Sequence, residues 1–254
     1  MRFLYWAACG TMFTFAMTAL GSALVFFFRS PVSDRMNRVC LGFAGGVMSA
    51  ASVFSLLLPA AQQAAEAGDT PWLVLTIGFL LGSALLMALD RQLERVAACR
   101  HEDRERRRQA LLFSAVTLHN VPEGMAVALA CAAAAPLGGA GLASAAALAL
   151  GVGVQNYPEG AAISLPLYQG GMSRGRSFLL GALSGVVEPV FGLLAAFLAA
   201  SVSGLMPLLM AFAAGAMMHV VYAQMLPEAG ESRGGAAAAV VGFALMMALD
   251  VALG

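Results

Sequence analysis

Eight apolar stretches take up most of this 254-residue chain, at about 3–28, 39–60, 71–90, 110–135, 140–167, 177–201, 204–227 and 235–253. A helix that crosses the hydrocarbon core of a bilayer needs about 20 mostly apolar residues, and each run approaches or exceeds that length. The breaks between them carry Gly, Pro or charge: Arg29-Ser30-Pro31, Gly68-Asp69-Thr70-Pro71, the Arg/Glu run 91–108, Pro136-Leu137-Gly138-Gly139, Gly170-Gly171-Met172-Ser173-Arg174 and 228–235. Only 11% of the residues are charged, against roughly 25% in a typical soluble domain. A disordered tail, a nucleic-acid binder and an ordinary soluble enzyme are excluded on that ground. The expected fold class is all-α: a single polytopic transmembrane domain over residues 1–254 with eight helices.

Charge placement predicts the orientation. All 14 basic residues are Arg. With the first span running inward, Arg29, Arg35, Arg38, the seven arginines of 91–108, Arg174, Arg176 and Arg233 fall on one side, and only Arg2 on the other. Cytoplasmic loops are enriched in Lys and Arg, so both termini are expected outside and 91–109 is expected to be a basic cytoplasmic loop. An odd number of spans would scramble this segregation. The first run is too long for the apolar core of a secretion signal, about 7–15 residues, and is read as the first span. Cys9, Cys40, Cys99 and Cys131 lie far apart and form no CxxC motif.

Three carboxylates remain at membrane depth: Glu123, Glu159 and Glu188. An ionised group at the bilayer centre costs at least about 2.5–3.5 kcal/mol on insertion scales, so these need protons, hydrogen bonds or a cation. Span four reads His119-Asn120-Val121-Pro122-Glu123-Gly124, and span five reads Gln155-Asn156-Tyr157-Pro158-Glu159-Gly160. Helical spacing puts His119 and Asn120 on the face of Glu123, and Gln155 and Asn156 on the face of Glu159. Each proline frees the carbonyl four residues earlier, Leu118 and Val154, and a kink is expected there. Glu188-Pro189 adds a third carboxylate-bearing wall. One imidazole among carboxylate and amide oxygens, without thiolate, suits Zn²⁺, Fe²⁺ or Mn²⁺. The set is large enough for two adjacent ions bridged by Glu123 and Glu159.

The doubled xNxPEG motif closely resembles the Zrt/Irt-like (ZIP) family of divalent-metal transporters, whose spans four and five carry HNxPEG and (H/Q)NxPEG signatures. Eight spans, outside termini, the long intracellular loop after span three and the span-six Glu-Pro extend the match over nearly the whole chain, and Glu188 is similar to the third carboxylate of the bacterial GufA-like branch. The resemblance implies a midplane two-metal site, a homodimer in the inner membrane of a bacterium, and elevator-like movement of a transport bundle against a scaffold. It implies one site of His119, Glu123, Gln155 and Glu159 with Met48 nearby, and a second of Asn120, Glu123, Asn156, Glu159 and Glu188. The cargo implied is Zn²⁺, with Fe²⁺, Mn²⁺ and Cd²⁺ as further candidates, and no prosthetic group is expected. The sequence departs from common family patterns at Ala223 and Gln224, at Gln62 and Gln63, and in a cytoplasmic loop whose only histidine is His101.

Spans two and seven share Gly42-Phe43-Ala44-Gly45-Gly46-Val47-Met48 and Ala211-Phe212-Ala213-Ala214-Gly215-Ala216-Met217, each followed by Leu-Pro; spans three and eight share Met87-Ala88-Leu89-Asp90 and Met247-Ala248-Leu249-Asp250. The expectation is an inverted 3+2+3 repeat, with a binding site at the midplane. Asp250 then falls near the outer boundary and Asp90 at the inner one, as candidate entrance and exit groups. His219 is a candidate pore-lining group. Two rivals stand beside a carrier. An intramembrane metallo-hydrolase would want HExxH, and no second His follows His119 at that spacing. A selective metal channel is the nearer alternative, though a deep site with several direct ligands favours slow, saturable transport.

Overall fold

The computed structural model describes residues 2–27, 33–99, 104–136, 139–202 and 204–253. Among these every regular element is helical: α1 Arg2–Ser22, α2 Asp34–Ala51, α3 Leu58–Glu66, α4 Pro71–Cys99, α5 Arg104–Ala134, α6 Gly139–Gln169, α7 Arg174–Ser184, α8 Val187–Ser201, α9 Leu205–Val220, α10 Leu226–Gly230 and α11 Arg233–Leu253. The first helix continues as a tight turn over Ala23–Phe26. The 91–109 segment is largely helical rather than loop, since α4 runs on to Cys99 and α5 starts at Arg104. His101 lies outside the described residues.

Among the described residues, six stretches are long and apolar enough to cross a membrane: Phe3–Phe26, Arg38–Glu66, Pro71–Gln92, Arg174–Ser201, Leu205–Gly230 and Arg233–Ala252. The protein is thus a multi-pass membrane protein. The helices missing from that set, α5 and α6, are the two that carry the xNxPEG runs, whose polar residues dilute otherwise apolar sequence. They are also the longest helices, at 31 residues each.

Neither Pro122 nor Pro158 ends its helix; α5 and α6 continue through both. Ladder breaks occur elsewhere. Two wide π-type turns, Ser52–Leu57 and Val221–Met225, join α2 to α3 and α9 to α10. Each immediately precedes a Leu-Pro pair, Leu58-Pro59 and Leu226-Pro227. Proline lacks the N–H that would bond four residues back, and a π turn absorbs the lost bond by widening the ladder one residue.

The helices pack as two groups. In one, α2 lies along α11 and α4 along α9; in the other, α1, α5, α6, α7 and α8 pack mutually. Glycines set the closest approaches inside each group. A Cβ at Gly46 would overlap Ala239 O, and one at Gly242 would overlap Phe43 O, where α2 meets α11. Where α9 meets α4, a Cβ at Gly215 would overlap Phe79 O, and one at Gly82 would overlap Phe212 O. Such backbone contact is how helices associate in lipid, where apolar side chains gain little by leaving the hydrocarbon. Between the groups, Gly151 of α6 faces side chains only, with a Cβ falling 2.6 Å from Met246 Sδ and 3.4 Å from Val47 Cγ1.

Contacts at the helix ends agree with the arginine pattern. Arg38, before span two, pairs with Glu231, before span eight, at 2.7 Å. Arg174 donates to Phe26 O at 3.4 Å and lies over the Tyr168 ring.

Candidate metal centre

The site grows out of α5, α6, α8 and a face of α1 that sequence reasoning did not single out. Glycine in each PEG triplet sets the spacing. A Cβ at Gly124 would overlap the Glu188 backbone of α8, and one at Gly160 would overlap Thr18 O of α1. The third element of each motif therefore brings a neighbouring helix against the carboxylate before it.

Glu188 sits in the first turn of α8, just past the Gly185–Val186 break from α7. Its backbone N–H bonds Gly185 O at 3.0 Å, and Pro189 offers none. Ser184 O is thereby available to a side chain, and Asn120 Nδ2 donates to it at 3.0 Å.

The amides repeat that pattern. Gln155 Nε2 donates to Glu123 Oε1 at 2.8 Å, and Asn156 Nδ2 donates to Glu188 Oε2 at 3.0 Å. Each amide thus uses its NH₂ on the protein and leaves its oxygen without a partner. Among the described residues, the buried side-chain oxygens lacking any partner are Asn120 Oδ1, Glu123 Oε2, Gln155 Oε1, Asn156 Oδ1, both carboxyl oxygens of Glu159, and Ser177 Oγ. Apart from Ser177, all belong to the two xNxPEG motifs. An unsatisfied buried polar atom costs about 1–3 kcal/mol, so several together rival the whole stability of a typical domain, roughly 5–15 kcal/mol. All are acceptors. A shared acceptor-only arrangement of carboxylate and amide oxygens is the chemistry that a hard or borderline dication satisfies.

Asn120, Glu123, Gln155, Asn156 and Glu188 are fully buried, and Glu159 is half-buried. His119 lies on α5, one residue before Asn120, but its side chain is outside the described residues. Met48 is fully buried on α2, in an apolar cluster shared with Ala126 and Val127 of α5 and Val152 of α6. Among the described residues no three His, Cys, Asp or Glu side chains alone form a metal-holding group.

The boundary residues are partnered. Asp250, 7% exposed, accepts from Ser55 Oγ with both oxygens, at 2.8 and 2.9 Å. Asp90 Oδ2 lies 3.0 Å from His219 Nε2 and accepts from Gln224 Nε2 at 3.2 Å. Gln63 Nε2 approaches Met210 Sδ at 3.9 Å. His219 is therefore a partner of Asp90 across α9 and α4. Two further partners, which the motifs do not announce, are Thr14 and Thr18 on α1. Thr18 Oγ1 donates to Glu188 Oε1 at 3.0 Å, and Thr14 O lies 3.4 Å from Asn156 Nδ2. Their signal was present in the spacing of Thr11, Thr14, Thr18 and Ser22, which lines one helix face.

Residues 94–250 match the family described as ZIP Zinc transporter. The chain is 34% identical to "Zinc transporter ZIP11" of Homo sapiens, over 98% of this chain and 97% of that protein. It is 36% identical to "Zinc transporter ZIPB" of Bordetella bronchiseptica (98% of this chain, 82% of the relative) and 36% identical to "Zinc transporter GufA" of Myxococcus xanthus (93% and 94%). With similarity running nearly end to end and the doubled motif at the centre of the helix bundle, this chain belongs to the ZIP family of zinc transporters, membrane transporters and not enzymes.

Proposed function

We propose that this protein is a carrier that moves Zn²⁺, and with it Fe²⁺, Mn²⁺ or Cd²⁺, into the cytoplasm through a midplane site on α5, α6 and α8. The observation that carries the reading is the set of partnerless buried oxygens supplied by the two xNxPEG motifs. Glu123, Glu159, Gln155, Asn120, Asn156 and His119 are its ligands, with Glu188 as third carboxylate and Met48 alongside, in an arrangement wide enough for two ions. Asp250 attracts cations at the outer entrance, and Asp90 with His219 lines the inner exit.

Eight spans follow if α5 and α6 cross with the six more apolar stretches, and the arginine distribution supports that number. Equivalent contacts support the inverted repeat. Phe43 and Gly46 of α2 meet Gly242 and Ala239 of α11 as their repeat partners Phe212 and Gly215 of α9 meet Gly82 and Phe79 of α4. The Asp250–Ser55 and Asp90–Gln224 bonds are a further such pair. The elevator reading draws on the two helix groups: glycine–carbonyl contacts bind each internally, while Gly151 faces only side chains between them. Side-chain interfaces slide more readily than interlocked backbones. Assembly as a homodimer in a bacterial inner membrane rests on the family resemblance.

The deciding measurement is zinc uptake into proteoliposomes. Uptake by the wild type should saturate with zinc, and Glu123→Ala should abolish it. Wild-type rates in that variant would refute the central site, and non-saturating flux would favour a channel.

A further inference from the structure

The buried polar face of α1 has no role in the carrier as described. Thr11, Thr14, Thr18 and Ser22 are all fully buried. Thr11 and Thr14 bond carbonyls of their own helix, Ala7 O at 2.8 Å and Thr11 O at 3.0 Å, as hydroxyls in apolar helices commonly do. Ser22 Oγ donates to Gly160 O at 3.1 Å and so braces α1 on α6.

Thr14 and Thr18 also face Glu188. The Thr18 hydroxyl reaches Glu188 Oε1 at 3.0 Å, with Thr14 O as a second acceptor at 3.3 Å. Asn156 Nδ2 donates to the other oxygen, Glu188 Oε2, at 3.0 Å, and its second N–H faces Thr14 O at 3.4 Å. The Thr18 hydroxyl, with one proton to give, has Thr14 O as its stand-by acceptor. The packing is close here: a Cβ at Gly185 would sit 3.0 Å from Thr18 Cβ and 3.1 Å from Glu188 Oε1, so a larger residue would make these neighbours give by a few tenths of an ångström.

We propose that Thr18 is a positioning residue of the metal site, which together with the Asn156 amide holds the Glu188 carboxyl in place, with Thr14 O receiving the displaced donor when a cation draws on Glu188. The inference rests on the carrier reading. A glutamate side chain turns about three bonds, and two fixed donors select one orientation of it before an ion arrives. A hydrogen bond to a charged group contributes about 1.5–3 kcal/mol, enough to decide that orientation. The stand-by carbonyl matters equally, because a buried donor stranded by ion binding would cost about 1–3 kcal/mol and oppose loading. Engaging the Asn156 NH₂ also leaves Asn156 Oδ1 among the partnerless oxygens.

The test uses the full-length protein, with zinc as the probe, in equilibrium binding and proteoliposome uptake. Thr18→Val keeps the β-branched shape and removes the donor. It should raise Kd and KM for zinc about tenfold, with kcat nearly unchanged. Thr18→Ser, which restores the hydroxyl, should bind as the wild type does. In a Glu188→Ala background, which removes the acceptor, Thr18→Val should add nothing further. Thr18→Ala carries the same expectation if valine crowds Gly185. Wild-type affinity in both donorless variants overturns the proposal. So does an undiminished tenfold loss in the Glu188→Ala background, or a Ser variant as weak as Val. A wild-type protein that neither binds nor takes up zinc overturns the carrier reading and this inference with it.

Discussion

A single hydrogen atom distinguishes the PEG motif from a generic polar run. The prolines and glutamates of Pro122-Glu123-Gly124 and Pro158-Glu159-Gly160 would be as polar beside alanine, but a methyl group at Gly124 would overlap the Glu188 backbone, and one at Gly160 would overlap Thr18 O. Either methyl must push a helix away from the carboxylates, and overpacking of this kind costs about 1–3 kcal/mol. Gly124→Ala and Gly160→Ala should therefore lower thermal stability in detergent and abolish zinc uptake. Gly175→Ala, at a position with open space around it, should leave both unchanged. Equal behaviour of all three would show that the motif glycines serve no packing purpose. The carboxylates and amides at this scale were legible in the sequence, because polar residues at membrane depth are costly and stand out. Thr18 was not, because a threonine in an apolar helix commonly bonds its own backbone and announces no distant partner.

At the scale of the element, prolines inside long helices and prolines after a π turn obey the same chemistry with different outcomes. Pro122, Pro158 and Pro166 are absorbed without ending α5 or α6, while Pro59 and Pro227 each follow a π turn. All five lack the N–H, and a Leu-Pro pair alone does not set where the ladder widens, since Leu165-Pro166 has no π turn. The paired glycines are a second element-scale feature. Gly46→Ala should separate α2 from α11, and Gly215→Ala should separate α9 from α4. By their matched surroundings the two substitutions should cost similar amounts, about 1–3 kcal/mol each, measured as the loss of denaturation midpoint. A large cost at one position and none at the other would count against the two halves being equivalent.

For the whole molecule, the question is which contacts must break for an ion to cross. Gly151 of α6 meets Met246 and Val47 across the boundary between the two helix groups. Gly151→Ala places a methyl against the flexible end of Met246, which the fold can accommodate, while sliding past it is hindered. The variant should keep its zinc affinity and lose about fivefold in kcat, or about 1 kcal/mol of barrier. Met246→Ala in the same molecule should restore the rate. A Gly151→Ala protein that transports as the wild type does, or one that the second substitution cannot rescue, would argue against relative movement at this boundary.

What the sequence determined by itself was the medium and the family; from it the orientation and the chemistry of the site are expectations. Apolar length, one-sided arginine and carboxylates stranded at membrane depth are each read against the bilayer, a solvent the sequence faces directly. What only the tertiary structure decided was which atoms remain partnerless. Gln155 and Glu123 satisfy one another on one side, as do Asn156 and Glu188, and Asn120 turns its NH₂ to Ser184 O. Hydrogen bonding saturates, so each donor spent on a neighbour selects the oxygen left without a partner. That selection depends on three-dimensional juxtaposition, which no linear spacing encodes.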